Sequence, residues 1–176
     1  MSSKRHTILP RFLRPQTPIH FSSSITIADS ALLTGTHLIA IHSESVVHPR
    51  AKLDSLAGRI NIGRRCIIHE RAALGAVGTS GRITEAAVTL GDYVTIEVAA
   101  TIEAGETVIG DGTVNCTLAP HTEIAPGDVV PDFTVVYSNG MRRTDRRGAV
   151  ELRHKGQARQ IEVLRRMIPS NPAKFA

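Results

Sequence analysis

Histidine is the residue type in this chain best suited to proton transfer near neutral pH, and it occurs eight times. His48, His69 and His121 stand singly, and a histidine of this kind can serve as the general base of an acyl transfer. The neighbouring sequence contains no nucleophile, catalytic triad, carboxylate pair or glycine-rich nucleotide loop that would support such a role. A lone surface histidine is usually just solvated, so the sequence assigns these three residues no function.

The elements that carry these side chains follow a six-residue period. Leu90, Ile96, Ile102 and Val108 form one unbroken series of aliphatic residues. A period of six fits neither an α-helix nor a simple amphipathic strand, and it is typical of a parallel β-helix. Further series are Leu118, Ile124, Val130, Val136; Ile27, Leu33, Ile39; Ile41, Val47, Leu53; and Ile62, Ile68, Leu74. We therefore predict an all-β solenoid: a left-handed parallel β-helix of hexapeptide repeats, with a C-terminal α-helix.

Small or polar residues come four positions after most of the aliphatic ones, where a coil would turn a corner. Glycine or aspartate often follows the aliphatic residue, as in Leu90-Gly91-Asp92, and these residues tolerate unusual backbone angles. With three hexads to a coil, the repeat region predicts roughly five to six coils. The residues assigned to corners are Ala31, Ala51, Cys66, Ala72, Val94, Ala100, Thr122, Asp128 and Thr134.

Composition agrees with a narrow aliphatic core. The 176 residues suit one domain, and only 3% of them are aromatic. Cys66 and Cys116 do not form a metal-like pair, so we expect buried thiols in a reducing, cytoplasmic compartment. No run is apolar enough for a membrane span, which predicts no direct membrane insertion. We expect no nucleic-acid partner, because the basic residues are not interleaved with aromatic ones.

Charge divides the chain unevenly. Counting Lys, Arg, Asp and Glu, residues 1–26 carry +4, residues 27–137 carry −6 and residues 138–176 carry +7. The basic ends are therefore expected to meet acidic protein surface, on this molecule or on a partner. The predicted organisation is as follows: a basic, flexible arm over 1–24, the β-helix over 25–137 with a loop insertion at 75–87, a charged connector over 138–148, a helix over 149–168 and a tail over 169–176.

The predicted helix is amphipathic. Val150, Ala158, Ile161, Leu164 and Ile168 share one face, which Val163 and Met167 widen. Such a helix covers either the flank of its own solenoid or the surface of a partner. The candidate partner-binding or helix-packing residues are Ile161, Leu164, Met167, Ile168, Arg142 and Arg143.

A β-helix of this kind resembles two groups of enzymes, the hexapeptide acyltransferases and the gamma-class carbonic anhydrases. The anhydrases bind zinc through three histidines, two of them five residues apart, and His37 and His42 have that spacing. The six-residue series slips between Ile39 and Ile41, however, and no well-placed third histidine precedes the pair. We therefore predict no metal ligands and no cofactor.

Four segments together resemble the dynactin subunit 6 family, a group of non-catalytic β-helical proteins. Residues 46–52 (VVHPRAK) are similar to an early coil of that family, and residues 129–137 (VVPDFTVVY) to its last coil. Met141-Arg142-Arg143 falls where the family has a similar connector, and residues 160–169 are similar to its closing helix. The ordered set is more specific than any single hexad.

The resemblance implies a non-catalytic adaptor subunit of the dynactin pointed-end complex, supporting cargo binding by dynein and microtubule-based transport. The implied partners are the sister β-helix (dynactin subunit 5), the pointed-end actin-related protein and the p-sixty-two subunit, and indirectly dynein and endosomal cargo. The implied location is the cytoplasm and its microtubule cytoskeleton, and no catalytic residue is expected. The alternative is a homotrimeric hexapeptide acyltransferase or a gamma-carbonic-anhydrase-like enzyme.

Overall fold

The structure, a computed structural model, describes residues 17–76, 86–110, 116–144 and 150–175. Most of the predicted arm, most of the predicted loop insertion, the end of the predicted connector and Ala176 lie outside the described residues. The described residues form a parallel β-solenoid of about five turns with one C-terminal α-helix, which confirms the predicted fold class. The one α-helix among them is not long and apolar enough to cross a membrane.

Successive coils contribute short parallel strands to three sheets, and the second sheet also includes one antiparallel strand after the last coil. Sheet 1 consists of β1 (Ile19–Phe21), β4 (Ile39–Ile41), β7 (Ile60–Ile62), β10 (Val88–Leu90), β13 (Thr107–Ile109) and β16 (Val129–Val130). Sheet 2 consists of β2 (Thr26–Ile27), β5 (Val46–Val47), β8 (Ile67–Ile68), β11 (Thr95–Ile96), β14 (Thr117–Leu118), β17 (Thr134–Val136) and β18 (Arg142–Thr144). Sheet 3 consists of β3 (Leu32–Gly35), β6 (Lys52–Ser55), β9 (Ala73–Ala76), β12 (Thr101–Glu103) and β15 (Glu123–Ile124).

The core is a set of aliphatic columns, because parallel pairing places equivalent side chains of successive coils directly above one another. In sheet 1 one column contains Ile41, Ile62, Leu90, Ile109 and Val130, each at most 1% exposed. Burial of such side chains contributes about 1.5–3 kcal/mol each, and these columns are the main source of stability. The column also corrects one prediction: Ile109, not Val108, takes the inward place after Ile102.

Three corners join the sheets. The first corner leads from sheet 1 to sheet 2, the second from sheet 2 to sheet 3, and the third from sheet 3 to the next coil's sheet 1. The first corner includes residues 42–45, 63–66 and 91–94; the second includes 48–51, 69–72, 97–100 and 119–122; the third includes 36–38, 56–59 and 104–106.

The corners place non-glycine residues in the left-handed region of φ. Arg65 and Tyr93 at the first corner both have φ of 56°, and Arg71 at the second has 59°. An L-residue in this conformation costs roughly 1–2 kcal/mol. The sequence points to Gly91 and Asp92 as the residues with unusual backbone angles, but the left-handed residue is the next one, Tyr93. The coil-to-coil hydrogen bonds offset that cost: the Tyr93 amide donates to the Arg64 carbonyl at 2.8 Å.

The C-terminal segment returns to the first coils. Helix α1 (Val150–Met167) packs on the outer side of sheet 2, and a short 3₁₀ helix (Pro172–Lys174) follows. Ser170 forms an antiparallel bridge with Ala28 beside β2, while β18 pairs antiparallel with β17 at the other end. The outermost parallel strands of sheet 2, β2 and β17, are therefore both covered by residues of this chain.

Candidate active site

A cavity of about 390 Å³ opens at the third corner. It forms where the six-residue period is broken, since Leu53 and Ile62 are inward residues nine positions apart. Gly58 and Arg59 of this longer stretch line the cavity. The third-corner cavity is lined by His37, Leu38, Gly58, Arg59, Ala86, Ala87 and Glu106.

His37 is the catalytic candidate of this cavity, because its ring is held in one tautomer. Its Nδ1 lies 2.8 Å from the main-chain oxygen of Ser55, one coil further along the chain. A carbonyl oxygen only accepts hydrogen bonds, so Nδ1 must carry the proton and donate it. The neutral ring then has its lone pair on Nε2, which is the arrangement of a general base.

Ser55 also fixes the backbone that presents His37. Its buried hydroxyl lies 2.7 Å from the main-chain oxygen of His37 and 3.1 Å from that of Thr34. The His37 amide in turn donates to the Ser55 carbonyl at 3.2 Å. The histidine is thus positioned by the main chain and by a buried side chain, so it loses little conformational freedom when a ligand binds.

Close backbone contacts build the opposite wall. A Cβ atom added at Gly58 would lie 1.9 Å from the Ala86 carbonyl oxygen, so only glycine fits there. Glu106 accepts a hydrogen bond from the Ala87 amide at 3.0 Å, which ties its carboxylate to this wall. Arg59 adds an exposed guanidinium to the lining. The cavity therefore combines a base, a fixed carboxylate and a cation that can stabilise a developing oxyanion.

A second histidine cluster lies at the second corner. His48 and His69 come from successive coils and stack with ring centroids 4.6 Å apart. His69 Nε2 lies 3.8 Å from a carboxylate oxygen of Glu97 in the next coil, and the Nε2 atoms of His48 and His69 are buried without a hydrogen-bond partner among the described residues. Burial, with the neighbouring His69 ring, lowers the pKa of His48 to about 4. A group this weakly basic makes a poor general base near neutral pH.

This depressed pKa predicts acid sensitivity. His48 has its ordinary pKa of 6.5 when unfolded and about 4 when folded, so the unfolded state binds more protons between these values. Its contribution to stability is complete above about pH 6.5 and is lost as the pH falls toward about 4. We expect a loss of ~1–2 kcal/mol, reduced from the full shift because the ring is partly exposed.

Urea unfolding at pH 7.5 and pH 4.5 measures this effect. Between these two pH values the free energy of unfolding of His48→Gln should fall by ~1–2 kcal/mol less than that of the wild type. His121→Asn, at an exposed position of the same corner, should lose as much stability as the wild type. Equal pH dependence in the wild type and His48→Gln would refute the assignment.

His37, His42 and His121 are not placed together to form a metal site. His37 and His42 lie at the third and first corners, at opposite ends of β4, so their spacing does not bring their rings together. His121 lies at the second corner with a left-handed backbone conformation, at the position that Arg71 occupies in an earlier coil. It is therefore two positions away from the place that His48 and His69 occupy in their coils. Among the described residues no group of three or more His, Cys, Asp and Glu side chains is placed to hold a metal ion.

The predicted helix-packing residues face their own solenoid to different degrees. Ile161 is 3% exposed and Ile168 9%; both pack against Ala28, Val46 and Ile67. Leu164 is partly buried against the same cluster, but Met167 is 71% exposed.

The two arginines lie on β18, which follows the last coil. The guanidinium of Arg142 pairs with the Asp128 carboxylate and lies 3.4 Å from the Val129 carbonyl. Arg143 is exposed on the same strand. A partner-binding role for any of the six residues stays a prediction.

A charge on the packed face of α1 should release the helix. Ile161→Asp would bury an unpaired carboxylate, and we expect it to lower the free energy of unfolding by ~3–5 kcal/mol. Met167→Asp is the matched control at an exposed position and should change it by less than about 0.5 kcal/mol. Thermal melting of both variants checks this, and equal melting temperatures would show that the helix does not stabilise the solenoid.

Sequence reasoning considered His37 only as a zinc ligand and missed it as a base. The feature that orients it is a main-chain carbonyl, which has no residue-type signature. The slip of the period between Ile39 and Ile41 was the available signal, because an irregular corner is where a cavity can form.

Comparison with known proteins places the chain among hexapeptide proteins by structure alone. No family model matches the sequence, and no curated protein matches it. A hexapeptide transferase family protein from Anaplasma phagocytophilum is 14% identical, with 86% of this chain and 97% of that chain covered and a TM-score of 0.50. A mutant of AntD, an N-acyltransferase from Bacillus cereus in complex with dTDP-4-amino-4,6-dideoxyglucose and coenzyme A, is 14% identical, with 78% and 89% covered and a TM-score of 0.53.

These matches confirm the hexapeptide β-helix group and correct the functional interpretation. At this identity the likeness shows the fold alone, but the similar structures are transferases, not transport adaptors. The prediction of a non-catalytic dynactin subunit is therefore wrong, and so is the expectation that the chain is not an enzyme. The predicted partners and the cytoplasmic, microtubule-associated location were implied by that resemblance and stay untested predictions.

Proposed function

We propose that this protein is a hexapeptide-type acyltransferase that moves an acyl group from a thioester, such as acyl-coenzyme A, to an amine or hydroxyl. The observation that carries the proposal is the hydrogen bond from His37 Nδ1 to the Ser55 carbonyl, which leaves Nε2 as a proton acceptor in the third-corner cavity. The carbonic-anhydrase alternative lacks comparable support, because His37 and His42 lie at different corners.

The proposed reaction uses His37 twice. Its Nε2 first accepts the proton of the acceptor's amine or hydroxyl as that atom attacks the thioester carbonyl. The new C–N or C–O bond forms, the C–S bond breaks, and the imidazolium returns the proton to the departing thiolate. Arg59 lies in the same cavity, where its guanidinium would stabilise the oxyanion of the tetrahedral intermediate.

The surroundings of the cavity suit an interface with a second copy of the chain. Leu38 and Leu56 at this corner are 44% and 45% exposed, which is high for large aliphatic side chains. The sequence-based alternative is a homotrimeric enzyme, and contact between copies at these two leucines would place the cavity at a subunit interface. AntD, whose structure contains an amino sugar nucleotide and coenzyme A, suggests the classes of acceptor and donor to try first.

The direct test is release of free thiol from acetyl-coenzyme A in the presence of amino sugars, amino-sugar nucleotides and amino acids. Cys66 and Cys116 are both buried, so a thiol reagent should detect the released coenzyme with little background from the protein. We expect thiol release that depends on the acceptor and forms an acylated product detectable by mass spectrometry. Folded protein that yields no acylated product with donors of short or long acyl chains would overturn the proposal.

A further inference from the structure

A second cavity, of about 300 Å³, lies at the first corner, beside the carboxyl ends of the sheet 1 strands β4, β7 and β10. It is separate from the third-corner cavity, and its lining is rich in polar hydrogen-bonding groups. The first-corner cavity is lined by Ser43, Glu44, Arg64, Arg65 and Tyr93.

Arg64 is held rigidly by the neighbouring coil. Its Nε and Nη2 donate to one oxygen of Asp92 at 2.9 and 2.7 Å, and its main-chain amide donates to the other oxygen at 2.7 Å. The planar guanidinium is thus fixed at two of its nitrogens although its side chain is 68% exposed. An exposed arginine ordinarily loses much side-chain entropy when it binds a ligand, and here most of that loss has already occurred.

Arg65 is fixed in the same way. Its Nε donates to Glu44, and its Nη1 donates to the Tyr93 hydroxyl at 2.6 Å. The Tyr93 ring stacks on His154 of α1 with centroids 3.9 Å apart, and Gln157 of α1 donates to the Arg65 carbonyl at 2.9 Å. The helix therefore locks the arginine and the tyrosine at this corner.

The locked guanidinium groups retain donors for a ligand. Each has five N–H groups and uses two of them in contacts among the described residues. The Tyr93 hydroxyl accepts from Arg65 and can still donate its own proton. Fixed, planar donors on adjacent residues match the geometry of a phosphate oxyanion, which arginine binds through paired hydrogen bonds.

We infer that the first-corner cavity is a binding site for a phosphate group of the substrate, held by Arg64, Arg65 and Tyr93. Asp92 neutralises the charge of Arg64, and Glu44 neutralises that of Arg65. These carboxylates therefore fix the orientation of the guanidinium groups but reduce their affinity for a phosphate. The site is accordingly expected to bind phosphate weakly by itself and to contribute mainly to positioning a larger ligand.

The distance between the two cavities allows the phosphate to belong to a substrate that also reaches His37, and this step rests on the proposed function. Leu38 lines one cavity and Ser43 the other; β4 and the start of the first corner lie between them, so the two residues are at most roughly 16 Å apart. The face of sheet 1 between them presents Ala40, Asn61 and Thr89, whose side chains are small. One extended ligand can therefore reach both cavities, with its reactive end at His37 and its diphosphate at the arginines.

Tyrosine fluorescence gives a direct binding assay, because the chain has two tyrosines and no tryptophan. In Tyr137→Phe protein the signal comes from Tyr93 alone. Sodium pyrophosphate should change this signal in a saturable way at roughly physiological salt. Arg64→Gln and Arg65→Gln should each weaken its binding at least tenfold. Absence of saturable pyrophosphate binding would overturn the inference. So would binding to both arginine variants with the same affinity as to the protein that retains the two arginines.

Arg50→Gln is the matched control. Arg50 pairs with Glu70 at 3.0 Å and its side chain is 65% exposed, but it lies at the second corner. It should bind pyrophosphate like the wild type, and each variant is compared only where its melting curve shows a folded protein. A tenfold loss in Arg50→Gln as well would mean that net charge, not this cavity, governs binding.

Competition distinguishes the source of the phosphate. Displacement of pyrophosphate by coenzyme A assigns the site to the acyl donor, and displacement by dTDP assigns it to the acceptor; displacement by neither would refute a substrate role. Arginine-dependent binding without any acyl transfer would reject only the proposed function. Acyl transfer with arginine-independent binding would reject only the phosphate site.

Discussion

His37→Asn is expected to lower kcat/KM for acyl transfer by ~10²–10⁴-fold, because it removes the proton acceptor from the third-corner cavity. Asparagine is the informative replacement. Its side-chain amide can still donate to the Ser55 carbonyl that now accepts from Nδ1, so the local backbone need not rearrange. The loss should fall on kcat, since a general base acts in the transition state and not in binding the substrate. Steady-state rates of thiol release measure both parameters.

His121→Asn is the control for this experiment. His121 has φ of 58° at an exposed corner, and asparagine tolerates that conformation well. Its activity and melting temperature should equal those of the wild type. If His37→Asn remains folded and retains activity within about threefold of the wild type, His37 is not the base; the effect would then be far below that of general-base catalysis.

The inward columns were predictable because they depend on residue type alone. Ile62, Ile68 and Leu74 are spaced so that each falls on a different sheet of one coil, and all three are buried. The six-residue period alone predicts that these three side chains point inward from successive sheets. The prediction failed at Val108, because Ile109 is the inward residue after a third corner that contains one extra position. An insertion in a corner shifts which of two adjacent aliphatic residues points inward, and the sequence contains no signal that chooses between them.

The site was harder to predict than the columns, and for a related reason. The period slips between Ile39 and Ile41, directly after the third corner at 36–38, and the predicted loop insertion ends at Ala87, which lines the cavity with Ala86. Both irregularities were visible in the sequence, but the contact that gives His37 its tautomer joins a side chain to the carbonyl of Ser55. Main-chain acceptors are present at every residue, so only the three-dimensional path of the coil shows which one is near.

The first corner illustrates the same limit for charged residues. Arg64 and Arg65 look like solvated surface residues in the sequence, and each acquires a fixed carboxylate partner from another coil. Asp92 lies 28 residues from Arg64, so the pair exists only because the two coils stack in register. The hydrogen bond from Arg65 also holds the pKa of Glu44 below its usual value, which keeps this carboxylate ionised. Stacking thus converts ordinary surface charges into an ordered array of donors.

Truncation after Met167 is expected to lower the free energy of unfolding by ~3–5 kcal/mol and to cause self-association. Ile168 is 9% exposed, and its loss removes about 1.5–3 kcal/mol of apolar burial. The hydrogen bonds between β2 and the segment containing Ser170 and Asn171 add about 0.5–1.5 kcal/mol each: the Ile27 amide donates to the Ser170 hydroxyl at 2.9 Å, and the Asn171 amide to the Ile27 carbonyl at 3.2 Å. Without them the backbone groups at the edge of β2 are exposed, and an exposed edge pairs readily with another chain.

Urea unfolding and light scattering measure the two effects of truncation separately. Lys174→Gln is the matched control: it removes contacts of an exposed ammonium group with the Asp29 carboxylate at 3.3 Å, the Asp29 main-chain oxygen and the Phe175 ring, and should cost less than about 1 kcal/mol. The stability of Ser170→Ala should lie between those of the truncated protein and Lys174→Gln. It loses one hydrogen bond, worth about 1 kcal/mol, and should not associate more than the wild type. A truncated protein with the stability and the mass in solution of the full chain would show that the solenoid tolerates an open edge. The C-terminal segment would then contribute neither stability nor protection from association, although it covers the edge of sheet 2.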